Sequence, residues 1–340
     1  MKQAVMTEPG KIVYREVPRP PVGDSQIEVK MKSIGVCGSD IHVWHGKHPY
    51  TSYPVVQGHE VSAVVTKTGK DVRNVSVGDV VTIQPQVVCG KCYPCTHGLY
   101  NDCENLKVMG FQTTGMASEY FVADAEKALK LPDGMSFEHG AMIEPLAVAV
   151  HAVRRFGSAE GRRIVVIGGG PIGNLVAQTA KAQGAKGLLL SEISEYRLAA
   201  AKKCGIPTVN PKETPLSEAI ASRFGSDGAD CIFECIGSPD RIREAVEIAR
   251  KGSDIIVVGV VPDLCPVNMG FVQDHELRIS GTAMYRTEDY LEAIRLVGVG
   301  LVDFDALITH HVPFSDYERA YRLIEEQKDR AMKVIIDMEC

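Results

Sequence analysis

No stretch of this 340-residue sequence approaches the ~18 consecutive apolar residues of a membrane span. Charge of one sign is scarce as well: 37 basic residues against 43 acidic ones leave a net charge of −6, nowhere clustered. That excludes the basic face expected of a nucleic-acid-binding protein or of one adhering to an anionic membrane. The opening residues, Met1 to Gly10, hold no signal-peptide core, and there are no internal repeats, low-complexity tracts or flexible linkers. The ten cysteines therefore read as metal ligands and buried thiols of a reducing compartment, not as a disulfide framework. The expectation is a cytoplasmic protein without nucleic-acid or membrane partners.

What is present is more specific. Cys89, Cys92, Cys95 and Cys103 follow the spacing C-x2-C-x2-C-x7-C in a short polar lobe containing Gly and Pro. Four thiolates on turns this short can close around one tetrahedral Zn²⁺, a borderline-soft ion that suits sulfur. Cys204, Cys231, Cys235, Cys265 and Cys340 show no ligand spacing and read as buried or incidental thiols.

Length and texture suggest two domains. The first ~150 residues carry short β-prone runs, Ile27–Met31, Val61–Thr66 and Val80–Ile83, separated by turn clusters. This pattern suggests an irregular β-barrel or sandwich. From Arg163 the rhythm changes to strands alternating with helices: Arg163–Gly168, then a helix from Pro171, Gly187–Ser191, a helix at Glu195–Lys203, and strands near Asp230–Cys235, Asp254–Val260 and Leu277–Gly281. That alternation makes a doubly wound parallel sheet. The strand-like Leu307–Val312 and Lys333–Asp337 are expected to return to the first domain. The predicted boundaries are 1–150 and 283–340 for the first domain and 151–282 for the second.

Gly168, Gly170 and Gly173 fit G-x-G-x-x-G between a strand and a helix, with Pro171 and Ile172 opening the helix. Such glycines allow a tight turn and close backbone approach, and the helix N-terminus faces a pyrophosphate. Glu192 lies at the end of the next strand, where an acid hydrogen-bonds the adenosine ribose hydroxyls and repels a 2′-phosphate. Arg197 is a nearby cation that can meet a phosphate, but Glu192 holds the deciding position, so the expected cofactor is NAD.

A further cluster comprises Cys37, Ser39, Asp40 and His42, then Gly58-His59-Glu60, then Glu144-Pro145. Taken singly, each has an ordinary structural role. Together with the cysteine lobe and the glycine loop, in this order over the whole chain, they resemble the zinc-dependent medium-chain alcohol dehydrogenases, most closely the polyol, sorbitol and threonine dehydrogenase branch. The resemblance implies a GroES-like catalytic domain joined to a Rossmann domain, hence an α/β protein. It also implies two zinc ions per subunit, one catalytic and one structural. Cys37 and His59 match the catalytic ligands; Glu60 and Glu144 are both candidates for the third place; Asp40 matches the carboxylate that orients the ligand histidine. Zinc then acts as a Lewis acid on the substrate oxygen while hydride passes to NAD. Ser39 matches the hydroxyl beside that oxygen, and His42 would pass the proton to solvent; His45 is an alternative that reads equally as a surface histidine.

The substrate class implied is a polyol, sugar acid, inositol or 3-hydroxy amino acid such as threonine. Tyr285 fits the branch's substrate-contacting tyrosine, but Met284 stands where sorbitol dehydrogenases carry arginine, which points away from sorbitol itself. Trp44 and Phe111 are further candidates for the pocket lining. A non-catalytic dinucleotide-binding protein is the rival reading. The resemblance also implies a homotetramer or homodimer, with the Leu277–Gly281 sheet edge available for pairing.

Overall fold

The computed structural model describes residues 1–338, so Cys340 lies outside the described residues. The chain forms two compact units. One comprises residues 1–144, 286–294 and 308 onward, and the other residues 145–285 and 295–307. These boundaries differ from the expected ones in three places, the smallest a shift of the second junction from 283 to 286. The helix Ile143–Phe156 runs unbroken, and from Pro145 it groups with the second unit. Residues 295–307 group there too, because Gln178 donates to the Asp303 carbonyl at 2.9 Å and accepts from the Asp303 N–H at 2.7 Å.

The first unit is built on a seven-stranded sheet in which Gln26–Gly35 is the hub. This strand pairs antiparallel with Glu60–Thr68, with Tyr120–Asp124 and with Lys333–Asp337. The last pairing brings the chain's final strand back beside the first third of the sequence, setting Ile335 opposite Gly35. Ile27, Val29, Met31 and Ile34 of the hub are completely buried. A smaller hairpin, Lys2–Glu8 with Lys11–Glu16, stands apart from this sheet.

In the second unit six strands are all parallel, in the spatial order Thr208–Val209, Gly187–Ser191, Arg163–Ile167, Cys231–Glu234, Asp254–Val257, Arg278–Gly281. This is the 3-2-1-4-5-6 order of a dinucleotide-binding sheet. Strands buried on both faces read as continuous apolar runs. Val165, Ile167, Ile232 and Ile255 accordingly form one core with Leu216 and Ile220 of the helix Leu216–Phe224 and Ala245 and Val246 of the helix Pro239–Ile248. Arg278–Gly281 is an edge strand whose residues are largely exposed. No helix among the described residues is long and apolar enough to cross a membrane.

Candidate active site

The hub strand ends at Gly35 and the chain turns directly into the short helix Gly38–Trp44. Cys37 is its N-cap residue, and Asp40 reaches back to accept the Cys37 N–H at 2.9 Å. This reciprocal cap satisfies donors that a helix start otherwise leaves free. It also fixes the cysteine against the carboxylate. Glu60, on the adjoining strand, is paired with Gly35. A Cβ on Gly35 would sit 2.2 Å from Glu60 Oε2, so only glycine leaves room for that carboxylate.

Cys37, His59 and Glu60 thereby offer three ligand atoms within 4.8 Å of one another. Glu144, buried at the start of its helix, lies outside that set, yet its charge bears on both His59 and Lys333. Lys333 was not singled out from the sequence. Its ammonium, also buried, donates to Glu60 Oε1 at 2.7 Å, to Glu60 Oε2 at 2.5 Å and to the Val36 carbonyl at 3.2 Å. The available signal was a lone lysine opening the otherwise apolar run Lys333-Val-Ile-Ile.

Behind His59 runs a second layer. His59 Nδ1 faces Asp40 Oδ1 at 3.6 Å and makes no hydrogen bond among the described residues. Gln57 Nε2 donates to Asp40 Oδ1 at 3.0 Å, and the Tyr321 hydroxyl donates to Gln57 Oε1 at 2.8 Å. Burial opposes a charge on His59, but the Asp40 carboxylate and the Cys37 sulfur outweigh it and hold the imidazole pKa well above its ordinary value. Burial raises the Asp40 pKa, which His59 and the Cys37 N–H partly offset. One half-buried thiol and three buried carboxyls, balanced by one lysine and a proton-seeking imidazole, make a donor set that favours a bound cation. The residues fit zinc.

The proton-relay candidates lie on one turn of the Gly38–Trp44 helix. Ser39 is half-buried and His42 is exposed, three residues on and so on the same face. No hydrogen bond joins them among the described residues. His45 is held by Glu325, at 2.5 Å.

Two of the pocket candidates are buried. Trp44 is buried, stacked on Tyr321 with ring centroids 5.2 Å apart, and its indole N–H donates to Glu325 at 3.2 Å. Tyr285 is 0 % exposed and so faces no open cavity within its unit. Phe111 lines a cavity of about 500 Å³, and its ring centroid lies 4.9 Å from that of His59.

The cysteine lobe gathers Cys89, Cys92, Cys95 and Cys103 with their sulfurs within 4.8 Å of one another. Cys103 Sγ accepts the N–H groups of Cys89, at 3.3 Å, and Asn105, at 3.4 Å. The N–H groups of Lys91 and Cys92 pull the Cys89 thiol down to about 6, which favours the thiolate a metal requires. Four convergent sulfurs fit a closed structural zinc site.

In the second unit the glycine loop joins the strand Arg163–Ile167 to the helix Pro171–Ala182. A Cβ on Gly173 would fall 1.9 Å from the Gly168 carbonyl oxygen, so the turn closes only with glycine there. Glu192 accepts three backbone N–H groups, from Gly169 at 2.8 Å, Ile193 at 2.7 Å and Ser194 at 3.0 Å. Arg197 lies 3.7 Å from the same carboxylate. The acid thus ties the loop to the second strand. It borders a cavity of about 500 Å³ at the carboxyl ends of the strands, between the exposed side chains of Ile193 and Ile236.

Comparison with known proteins agrees with this geometry. Residues 23–133 match the alcohol dehydrogenase GroES-like domain and residues 171–298 the zinc-binding dehydrogenase domain. The chain is 34% identical over 319 residues to a 2-dehydro-3-deoxy-L-galactonate 5-dehydrogenase of Pseudoalteromonas atlantica, covering 94% of this chain and 92% of the relative. It is 33% identical to a sorbitol dehydrogenase of Halalkalibacterium halodurans, covering 99% of each. The crystal structure of galactitol-1-phosphate dehydrogenase from Escherichia coli superposes with a TM-score of 0.91 at 30% identity, covering 99% of this chain and 100% of that one. The chain belongs to the zinc-dependent medium-chain alcohol dehydrogenase family, in its polyol branch. It is an oxidoreductase of secondary alcohols.

Proposed function

We propose that the protein oxidises a secondary alcohol of a polyol or sugar acid to the ketone, with NAD as acceptor. The observation that carries this is the convergent donor set of half-buried Cys37, two residues from Ser39 along the chain, and buried His59 and Glu60, backed by Asp40. Cys37, His59 and Glu60 would hold the catalytic zinc, with Glu144 as the second acid facing it, and Cys89, Cys92, Cys95 and Cys103 the structural one. Zinc supplies Lewis-acid polarisation of the substrate oxygen, and NAD accepts the hydride.

The protein's own groups do the rest. Asp40 faces His59 Nδ1 and would leave the other imidazole nitrogen available to the metal. Ser39 Oγ takes the alcohol proton, and His42, at the helix surface, hands it to solvent. Lys333 keeps part of the Glu60 charge engaged. Gly168, Gly170 and Gly173, with Pro171 and Ile172, would cradle the pyrophosphate, and Glu192 would receive the adenosine ribose. The exposed edge strand Arg278–Gly281 supports assembly into a homodimer or homotetramer.

The test is NADH formation at 340 nm across polyols, aldonates, inositols and L-threonine, repeated with NADP and after chelation. Zinc-dependent turnover that prefers NAD is the expected result, and Glu192→Ala should relax the cofactor preference. Cofactor and substrate binding without turnover would favour a non-catalytic role.

A further inference from the structure

We propose that the cavity beside Phe111 is an anion subsite, in which Arg15 binds a carboxylate or phosphate ester carried by the substrate away from the carbon being oxidised. The proposal rests on the dehydrogenase reading for the identity of the ligand, and it names the substrate class more narrowly.

The cavity, about 500 Å³, is of the size that holds small-molecule ligands. Gln3 and Arg15 are directly opposed across the N-terminal hairpin, so their side chains leave the same face of the sheet. Val5, two residues on from Gln3, shares that face and also lines the cavity. Glu16 belongs to the opposite face, where it meets the N-terminal amine at 3.5 Å. Arg15 is therefore presented to the cavity without its neighbouring acid. Among the described residues its guanidinium has neither an ion pair nor a hydrogen bond.

The other polar groups of the wall are donors too. Gln112 Oε1 accepts the Val108 N–H at 2.8 Å, which fixes the orientation of the amide and leaves its NH₂ free to donate. No aspartate or glutamate lines the cavity, although the chain as a whole carries a net charge of −6. One unpaired guanidinium, a free amide donor and no acid make an environment that recognises an oxyanion.

Phe111 joins this cavity to the chemistry. Its ring lies 4.9 Å from His59 on one side and stacks on His48 at 4.6 Å on the other. A hydroxy acid with its carbinol at the metal cluster would run past this shared wall to place its charged end near Arg15. Carboxylates and phosphate esters share the required chemistry, and the experiment separates them.

The zinc-replete protein and Arg15→Gln, both shown to be folded by thermal unfolding, are titrated calorimetrically with D-gluconate, sorbitol 6-phosphate and uncharged sorbitol. At least one anion should bind the unmodified protein more tightly than sorbitol does. The ratio of anion to sorbitol affinity should fall by roughly tenfold to a hundredfold in Arg15→Gln, the range for losing a charge-assisted hydrogen bond. Arg15→Lys should restore part of it. The anion that loses more identifies the source. Equal anion affinity in both proteins, or no preference for either anion over sorbitol, overturns the subsite. Because binding is read without turnover, that result leaves the dehydrogenase reading intact. Arg15-dependent anion binding with no NADH formation from any alcohol would instead defeat the activity and keep the subsite.

Discussion

The molecule carries two clusters suited to a metal ion, and they are built in opposite ways. The cysteine lobe draws every donor from residues 89–103, and three of its four cysteines are half-buried. The Cys37 cluster draws its donors from separate segments, buries His59, Glu60 and Glu144, and adds two supporting layers, Lys333 in front and Asp40–Gln57–Tyr321 behind. Local spacing is enough to close a site whose task is to hold a metal. An open site must also control charge and orientation, and those controls come from residues far away in sequence.

The largest expected effect lies in the lobe. Cys103→Ala removes the buried sulfur that also accepts two backbone N–H groups. One of the two zinc ions per chain should be lost, since most of such a lobe's order comes from the metal itself. Metal analysis and proteolysis near Lys91 check this. Retention of both ions would remove the lobe from the metal sites. Turnover should survive better than lobe order if the two clusters are independent.

Next in size is Lys333→Met. It strips the cation from a carboxylate that is 1 % exposed. Breaking a buried pair on one side costs about 3–5 kcal/mol. Urea unfolding of metal-free protein should show that loss, and zinc-replete protein a smaller one, because the metal takes over part of the compensation. Equal losses with and without zinc would mean that Glu60 does not face the metal.

The same contrast explains what the sequence revealed. The cysteine lobe, the glycine loop and the strand–helix alternation were legible because each is a contiguous pattern set by local geometry. Cys37, His59 and Glu60 became legible only jointly, through family spacing. Lys333 was not, because its partner is 273 residues away and its one local mark, a place at the head of an apolar run, says nothing of that partner. The stacking of Trp44 on Tyr321, from the other end of the chain, was equally illegible in the sequence. The helix Leu216–Phe224 and the short strand Thr208–Val209 were not read from the sequence, because each is brief and is stabilised mainly by packing onto the sheet.

Asp40→Asn should act at a middle scale. The amide keeps the shape but not the charge opposite His59 Nδ1, and outer-layer partners of this kind are worth about 10- to 100-fold in metal affinity or activity. Competition with a chelator measures the affinity directly. An unchanged zinc affinity and turnover would reduce Asp40 to a helix cap.

Tyr321→Phe should have the smallest effect, and it asks whether the rear layer acts as one unit. Its hydroxyl orients the Gln57 amide so that Nε2 donates to Asp40 Oδ1. Without it Gln57 Oε1 is left buried and unpaired, at a cost of about 1–3 kcal/mol in stability. A purely structural role ends there. If Tyr321 instead positions Asp40, zinc affinity also falls, and by less than in Asp40→Asn. The double variant separates the cases: additive losses in zinc affinity mean independent roles, whereas a double variant no weaker than Asp40→Asn alone means that Tyr321 works through Asp40. Trp44, the chain's single tryptophan, stacks on Tyr321. Its fluorescence reports whether the packing survives the substitution, so a loss of metal affinity with unchanged emission assigns the effect to the hydrogen bond alone.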